Sequence, residues 1–224
     1  MTNTLTGPPA ADVLSRLFAA AEAQEAQHAQ GTGPDPAPPA PAREPTAQER
    51  ADSLQDVYMP VSADGGRLLY ALTRATRPQT VVEFGTSFGI SAIHLAAAVI
   101  DNGTGHVFTT ELSLAKIGQA RANLAQAGVD GPVTVLAGDA RETLAGLPGP
   151  IGLVLLDGWK DLYLPVLHLL EPRLAPGALV VADDSTFPSV AGYLAYVRDP
   201  AHGYVTVSFP VEDGMEISCW TGTR

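Results

Sequence analysis

The chain has 224 residues, 46% of them hydrophobic, so it can bury a full core in one domain and is too apolar to be disordered. A formal net charge of −11 argues against a nucleic-acid-binding surface, because such surfaces neutralise phosphates with lysine and arginine. The single cysteine, Cys219, excludes an internal disulfide and favours a reducing compartment. The first residues lack the basic and apolar regions of a secretory leader, so we expect none, and we expect no membrane span because no apolar run is long enough. We therefore predict a cytoplasmic protein that binds neither nucleic acid nor membrane.

The N-terminal part predicts a helix followed by a linker. Residues Ala10 to Gln30 are rich in alanine and carry a short apolar stripe, which is typical of a helix. The segment Gly31 to Pro45 holds six prolines and two glycines and is predicted to be a semi-extended linker. Such a linker allows the helix before it to lie away from the rest of the chain, so this helix need not pack into the core of its own chain.

Two further helices precede the first strand. Thr46-Ala47-Gln48-Glu49 matches a capping box and predicts a helix running to about Val57. Ser62 is predicted to cap a third helix, Ala63 to Thr76, which ends before Pro78. The domain boundaries that follow are residues 1–30 for the first helix, 31–45 for the linker and 46–224 for the main domain.

From Thr80 the sequence alternates between strands and helices. The predicted strands are Val81–Phe84, His106–Thr110, Val133–Ala137, Gly152–Leu156, Ala178–Ala182, Tyr204–Phe209 and Glu216–Trp220. The predicted helices are Ile90–Ile100, Leu114–Gly128, Arg141–Leu147, Leu162–Leu174 and Ser189–Val197. Asp213-Gly214 is a hairpin signal between the last two strands. We predict an α/β fold: a doubly wound, mostly parallel sheet of seven strands with helices on both faces and a C-terminal antiparallel hairpin.

The stretch TVVEFGTSFGIS, from Thr80 to Ser91, predicts a buried strand, a tight glycine turn and a helix N-terminus. Such a turn lets the backbone approach a ligand closely. The dinucleotide fingerprint G-x-G-x-x-G is excluded, because Ser87 and Ile90 stand where two of its glycines belong. The alternative is an ordinary strand–turn–helix without a ligand.

Acidic residues lie at the end of each of the first five predicted strands or in the loop directly after it. In a sheet of this kind, ligands bind outside the carboxyl ends of the strands, so these side chains should share one edge. They are Glu83, Glu111, Asp139, Asp157 and the pair Asp183-Asp184. Placement of carboxylates along one edge of the sheet is a stronger signal than any single motif.

Three of these acids suit an adenosine that carries a cationic tail. Glu111 is placed to accept hydrogen bonds from both hydroxyls of a ribose. Asp139 is placed to bind an adenine amino group, and the small Ala140 leaves room for the ring. Glu83 offers a carboxylate to the positive tail. The alternative for Glu111 and for Asp139 is capping of the helix that follows.

Asp157, Asp183 and Asp184 form a second acidic group. Three carboxylates at one sheet edge repel one another unless a cation or protons intervene, and hard oxygen ligands favour Mg²⁺ or Ca²⁺. The five histidines are scattered, so no Cys/His array competes. The alternative is three solvated loop aspartates.

Two motifs carry a resemblance to known proteins. Glu-x-Gly-x-Ser-x-Gly, from Glu83 to Gly89, resembles the first motif of class I S-adenosylmethionine (SAM)-dependent methyltransferases. LLDGWKDLYLP, followed by VVADDSTFP, resembles the catechol O-methyltransferase family from about Tyr58 to the C-terminus. The resemblance implies a Rossmann-like methyltransferase domain with N-terminal cap helices. It also implies methyl transfer from SAM to a hydroxyl of a small aromatic, catechol-like acceptor with vicinal hydroxyls, assisted by Mg²⁺ and a lysine base.

The resemblance also assigns residues. It implies Mg²⁺ ligands at Asp157, Asp183 and Asp184, and catalytic roles for Lys160 and Asp157. Near the ion the pKa of Lys160 should be depressed, which favours the neutral base; the alternative is a surface lysine paired with Asp161 or Asp157. With the adenosine residues above, the predicted SAM contacts are Val61, Glu83, Gly85, Thr86, Ser87, Gly89, Ser91, Glu111, Asp139, Ala140, Asp157 and Trp159. Trp159 would form a wall beside cofactor and acceptor, or alternatively a packed aromatic at a loop.

The chain departs from the family at two positions. Asp184 stands where the catechol enzymes usually have asparagine, which adds a charge to the metal site. The glutamate that grips the second catechol hydroxyl falls near Val207 here, and the nearest acid is Glu212. Alternatives remain: a metal-independent N- or C-methyltransferase, a non-catalytic SAM-binding protein and, less favoured, a nicotinamide oxidoreductase. We also expect a homodimer in which the first helix covers the acceptor pocket of the other protomer.

Overall fold

The structure is a computed structural model that describes residues 3–30 and 45–222. The predicted linker, except for Pro45, lies outside the described residues.

A single seven-stranded sheet organises the chain, in the order β3-β2-β1-β4-β5-β7-β6. The strands are β1 Thr80–Phe84, β2 His106–Glu111, β3 Val133–Ala137, β4 Ile151–Leu156, β5 Leu174–Ala182, β6 Tyr204–Phe209 and β7 Met215–Trp220. The first five are parallel, and β7 pairs antiparallel with both β5 and β6. The predicted α/β fold and its C-terminal hairpin are therefore confirmed. Strand β5 begins four residues before the predicted Ala178, because Leu174 already pairs with Ile151.

Helices cover both faces of the sheet, as predicted. They are α1 Pro8–Ala29, α2 Ala47–Ser53, α3 Ala63–Thr76, α4 Ile90–Asn102, α5 Leu114–Gln126, α6 Ala140–Thr143, α7 Tyr163–Leu170 and α8 Ala191–Arg198. One buried apolar cluster includes residues of α1, α3, α4 and α5, and the other includes residues of α6, α7 and α8. Strands covered on both faces read as continuous apolar runs, which is why β1 and β4 are almost wholly buried.

The caps form where the sequence predicts them, but several helices are shorter than expected. Thr46 and Glu49 make the reciprocal capping box of α2, and the Ser62 side chain accepts a hydrogen bond from Gly65 N. Helix α2 ends at Ser53 rather than near Val57, and α6 spans four residues instead of seven. Helix α7 gives way after Leu170 to a short 3₁₀ segment that contains Pro172, which has no backbone N–H for the next helical bond.

Helix α1 belongs to the core of its own chain, so the expectation that it reaches over another protomer is wrong. Its apolar stripe is buried against α4 and α5. Arg16 Nη2 donates to Asn123 Oδ1 at 2.9 Å, and the Thr4 hydroxyl donates to Asp101 at 2.6 Å. The stripe seen in the sequence finds its partner within the chain, since burial against a neighbouring helix is the nearest way to remove it from water.

None of the helices described in residues 3–30 and 45–222 has the length and apolarity that a membrane crossing needs.

Candidate active site

A cavity of about 440 Å³ lies at the carboxyl ends of the parallel strands, beneath α2 and the chain that leads from it to α3. The predicted site residues that line it are Gly85, Ser87, Glu111, Asp139, Ala140, Asp157, Trp159, Lys160, Asp183 and Asp184. A smaller adjoining cavity is lined by Val61, Thr86 and Ser91 and shares Gly85, Ser87 and Asp157 with the large one. The predicted contacts Glu83 and Gly89 line neither cavity. The fold therefore brings the two predicted groups of residues into one connected space.

The glycine turn brings β1 and β4 into close backbone contact. Gly85 has φ +105°, and a Cβ placed there would lie 2.5 Å from Asp157 O, so only glycine fits. Ser87 also adopts a left-handed backbone, with φ +46°, and its buried Oγ has no hydrogen-bond partner. A strained residue with an unsatisfied hydroxyl on a cavity wall is typical of a ligand-binding position.

Glu83 is completely buried behind this turn. Its Oε2 accepts a hydrogen bond from the Thr109 hydroxyl, whereas Oε1 has no partner. Burial raises the pKa of Glu83 to about 7, against the lowering effect of the Ser91 and Thr109 hydroxyls. An orphaned buried carboxylate oxygen beside a cavity suits a ligand with an ammonium group, and the methionine tail of SAM carries one.

Glu111 and Asp139 occupy the ends of β2 and β3, and both already hold protein donors. Glu111 Oε2 accepts from Ser87 N, and its Oε1 accepts from Leu112 N and Ser113 N, all at 2.9 Å. These bonds fix the carboxylate and leave lone pairs for ribose hydroxyls. Asp139 caps α6 by accepting from Arg141 N at 2.8 Å and forms an ion pair with the Arg141 guanidinium. The capping alternative is therefore realised at Asp139, and its contact with adenine stays a prediction.

The sheet ladder places the second acidic group. Asp157 N donates to Phe84 O at 2.8 Å and Asp183 N donates to Leu156 O at 3.0 Å, so both acids follow directly on paired strands. Lys160 Nζ lies between the carboxylates, 3.4 Å from Asp157 Oδ1 and 2.6 Å from Asp184 Oδ2.

The charge balance of this group is negative even with the lysine present. Burial, followed by the Asp183 charge, raises the pKa of Asp157 well above its usual value. Burial and Asp184 raise the pKa of Asp183 to about 7. Burial lowers the pKa of Lys160, but its acidic neighbours outweigh burial and the net pKa is raised. Without an ion the carboxylates therefore stabilise the Lys160 ammonium. The expected depression of the Lys160 pKa refers to the site with Mg²⁺ bound and stays a prediction.

Within the described part of the chain, no three His, Cys, Asp or Glu side chains converge on a point where they could jointly hold a metal ion. The lysine ammonium instead occupies the space between Asp157 and Asp184. The donor chemistry nevertheless fits a hard divalent cation, since the site consists of carboxylate oxygens whose mutual repulsion a cation would relieve.

The walls beside this group are apolar, and further acids lie at the mouth. Met59 and Phe187 line the cavity with 46% and 41% of their surface exposed. Val207, where the family's glutamate falls, is 57% exposed on β6 and is not part of the lining, whereas Glu212 and Asp213 line the cavity.

Sequence reasoning missed a basic residue in the cavity wall, Lys116, and a second one, Arg50, that packs on Trp159. Lys116 is buried, with Nζ 5.3 Å from the centroid of the Phe88 ring, and it lines the cavity next to Glu111. Its position in α5 beside the buried Ile117 was the available signal. The Arg50 guanidinium lies 4.7 Å from the Trp159 ring and forms an ion pair with Asp161 at 3.3 Å. Nothing in the sequence pattern indicates that contact.

A seven-stranded sheet of this order, with an acid-edged glycine turn and cavity at its carboxyl edge, defines a class I SAM-dependent methyltransferase fold. The family described as "Methyltransferase domain" matches residues 82–185. Catechol O-methyltransferase of Mus musculus is 31% identical over 183 residues, covering 76% of this chain and 68% of that protein. A probable O-methyltransferase of Mycobacterium tuberculosis is 36% identical over 149 residues, covering 62% of this chain and 63% of that protein. The chain belongs to the SAM-dependent O-methyltransferases of the catechol O-methyltransferase family.

Solved structures agree with this fold. The O-methyltransferase TomG of Streptomyces achromogenes, in complex with SAM, superposes with a TM-score of 0.64 at 25% identity, covering 80% of this chain and 92% of that one. A methyltransferase from Geobacter sulfurreducens gives a TM-score of 0.66 at 23% identity, covering 89% and 97%. The match to the M. tuberculosis relative spans less than two thirds of its length.

Proposed function

We propose that the protein transfers the methyl group of SAM to a hydroxyl of a small aromatic acceptor with vicinal hydroxyls, with Mg²⁺ and Lys160 assisting. The observation that carries the proposal is that Lys160, beside Asp157 and Asp184, lines the same cavity as the glycine turn. A proton acceptor in this position can activate a hydroxyl group that lies next to a bound methyl donor.

The donor end would hold SAM by contacts matched to its parts. The free Oε1 of Glu83 would face the ammonium group of the methionine tail, near Ser91 and Val61. Glu111, fixed by three backbone N–H groups, would accept from the ribose hydroxyls. The trough between Ala140 and Trp159 would take the adenine ring. Lys160 lines the same cavity and would lie on the acceptor side of a cofactor bound in this way.

The acceptor end would lower the cost of forming a nucleophilic oxygen. A phenol with a pKa near 10 costs roughly 4 kcal/mol to ionise at pH 7. Mg²⁺, when bound by Asp157, Asp183 and Asp184, supplies the positive charge that makes this ionisation cheaper. With that charge balancing the three carboxylates, Lys160 would be a neutral amine, and its Nζ would receive the hydroxyl proton. The acceptor oxygen then forms the new C–O bond, while the sulfur keeps the electron pair of the broken S–CH₃ bond, so the products are a methyl ether and S-adenosylhomocysteine (SAH).

The remaining acceleration would come from orientation. The apolar walls of Met59, Phe187 and Trp159 would sandwich a flat ring and hold its oxygen in line with the S–CH₃ bond. Glu212 and Asp213 at the mouth would accept hydrogen bonds from the substituents of the acceptor that point outward.

A screen of vicinal diols and polyphenols, with SAM and Mg²⁺ and SAH release as the readout, tests the proposal. We expect turnover with at least one diol and none with the corresponding monophenol. Lys160→Met should lower kcat by a factor of about 10² or more while SAH still binds, because a positioned base contributes on that order. Glu142→Gln, at an exposed position on α6, is the matched control and should leave kcat unchanged. Lys160→Met with full activity would overturn the assigned base.

A second candidate is a metal-independent methyltransferase of the same fold, and the 2.6 Å contact between Lys160 and Asp184 favours it. In that case the ammonium itself would balance the acids, and turnover would be indifferent to chelation. The predicted homodimer is a separate proposal. A molecular mass from sedimentation equal to that of one chain would exclude it.

A further inference from the structure

Residues 54–60, which we call the strap, connect α2 to α3 and form part of the roof of the cavity. Leu54, Met59 and Pro60 line the large cavity. Tyr58, Met59 and Pro60 line the smaller one, opposite the glycine turn. A ligand held at the cofactor end would therefore lie between the strap and the turn.

The N-terminal helix holds the strap through one side chain. Gln24 of α1 donates from Nε2 to Asp56 O at 2.8 Å, and its Oε1 accepts from Tyr58 N at 2.7 Å. The side-chain amide thus pairs with two backbone groups of the strap, much as a neighbouring strand would. Glutamine suits this task because one planar group supplies both a donor and an acceptor.

The same point of the strap is joined to the cofactor turn. The Tyr58 ring stacks on Phe88 with centroids 4.2 Å apart, and Phe88 belongs to the turn between Gly85 and Gly89. Lys116 Nζ lies 5.3 Å from the Phe88 ring. Because Tyr58 packs on Phe88, a displacement of Tyr58 would also disturb the packing of the glycine turn.

Helix α1 is a firm base for this contact. Val13, Leu14 and Leu17 are buried in the core, and the Arg16 guanidinium bonds to Asn123 of α5. Helix α5 packs on β2 and β3 of the sheet whose carboxyl edge carries the cofactor residues. Gln24 therefore links the strap to the same rigid body that holds the ligand.

We propose that Gln24 is a positioning residue that holds the strap closed over the cofactor end of the cavity and so sets how long SAM and SAH remain bound. The inference rests on the proposed function only in taking SAM and SAH as the ligands. Opening the strap breaks two hydrogen bonds to Gln24 and the Tyr58–Phe88 stack. A substitution that removes the two hydrogen bonds lowers the free energy of opening, so the strap opens more often.

The test compares Gln24→Ala with Gln24→Glu in the full chain. Gln24→Ala removes both bonds, and we expect the dissociation rate and Kd of SAH to rise about tenfold. Gln24→Glu keeps an acceptor for Tyr58 N–H but loses the donor to Asp56 O, so a smaller rise of roughly threefold is expected. Glu25→Ala, on the exposed face of α1, is the matched control and should change neither value.

Two further readouts separate positioning from general destabilisation. Amide exchange at Tyr58 in the ligand-free protein should quicken in Gln24→Ala, while amides in β1 and β4 keep their protection. The kcat at saturating SAM should not fall, because Gln24 touches no reacting atom. SAH dissociation equal to that of the wild type, or the same rise in Glu25→Ala, would overturn the proposal. A wild-type protein that binds SAH but methylates no hydroxyl would overturn the proposed function alone, since the dissociation rate needs no acceptor.

Discussion

Ser87 offers a substitution whose two effects should have opposite signs. Its backbone is in the left-handed region, with φ +46°, and its buried hydroxyl oxygen has no partner in the protein. Ser87→Gly removes both features together, because glycine adopts this conformation freely and has no hydroxyl. The amide bond from residue 87 to Glu111 does not depend on the side chain and should survive.

The magnitudes follow from these two features. A non-glycine residue in the left-handed region costs about 1 kcal/mol, so relief of that cost should raise the free energy of unfolding by up to about 1 kcal/mol. If the Ser87 hydroxyl bonds to the cofactor, its loss costs about 0.5–1.5 kcal/mol of binding free energy, or roughly two- to tenfold in the Kd of SAM. A mutation that stabilises the fold while weakening the ligand indicates a strained binding residue.

Urea unfolding without ligand and calorimetric titration with SAM and SAH measure the two effects. Ser87→Ala is the matched variant: it loses the hydroxyl but keeps Cβ, so affinity should fall while the backbone strain remains. If Ser87→Gly binds SAM as tightly as the wild type, the hydroxyl does not contact the cofactor and the reasoning from the unsatisfied atom fails. A loss of stability would contradict the inference of strain.

Three other predictions concern buried groups. Gly66→Ala should destabilise the fold by about 1–3 kcal/mol, because its Cβ would lie 2.5 Å from the His94 ring; Gly118→Ala, with nothing within 4 Å, should not destabilise it in the same urea assay. Burial lowers the pKa of His94 to about 4, with a smaller contribution from Arg67. The unfolded chain takes up this proton near pH 6.5, so stability is complete above that pH and falls by about 3 kcal/mol toward pH 4. His94→Gln should flatten that part of the stability profile, and an unchanged slope would contradict the assignment. Glu83→Gln should weaken SAM and SAH about tenfold in calorimetry, because the ammonium group loses its carboxylate partner; unchanged affinity would place that group elsewhere.

The sequence predicted what local chemistry decides. The capping residues Thr46 and Ser62 formed their bonds, because a cap needs only the few residues beside it. The seven strands followed from apolar runs and turn residues, and the acids at their ends met at one edge because parallel strands share their direction.

What the sequence could not predict depends on distant residues. The prolines before Pro45 suggested a detached helix, whereas the location of α1 depends on a groove between α4 and α5 that no local pattern reveals. The raised pKa of Lys160 depends on Asp157 in its own loop and on Asp183 and Asp184 in the loop after β5, a juxtaposition that only the folded sheet creates. Gln24 bonds to backbone atoms of Asp56 and Tyr58, which follow it by 32 and 34 positions. Because the strap takes part through its backbone, the side chains of the strap give no sign of this contact.

The most direct test of the proposed chemistry is the rate of SAH formation from SAM and a vicinal diol, measured first with Mg²⁺, then with excess EDTA, and again after Mg²⁺ is restored. We expect EDTA to abolish turnover and Mg²⁺ to restore it in the wild type, and we expect Asp183→Asn to need more Mg²⁺ for half of its maximal rate. A rate that is the same in EDTA as in Mg²⁺ would contradict a divalent ion held by Asp157, Asp183 and Asp184.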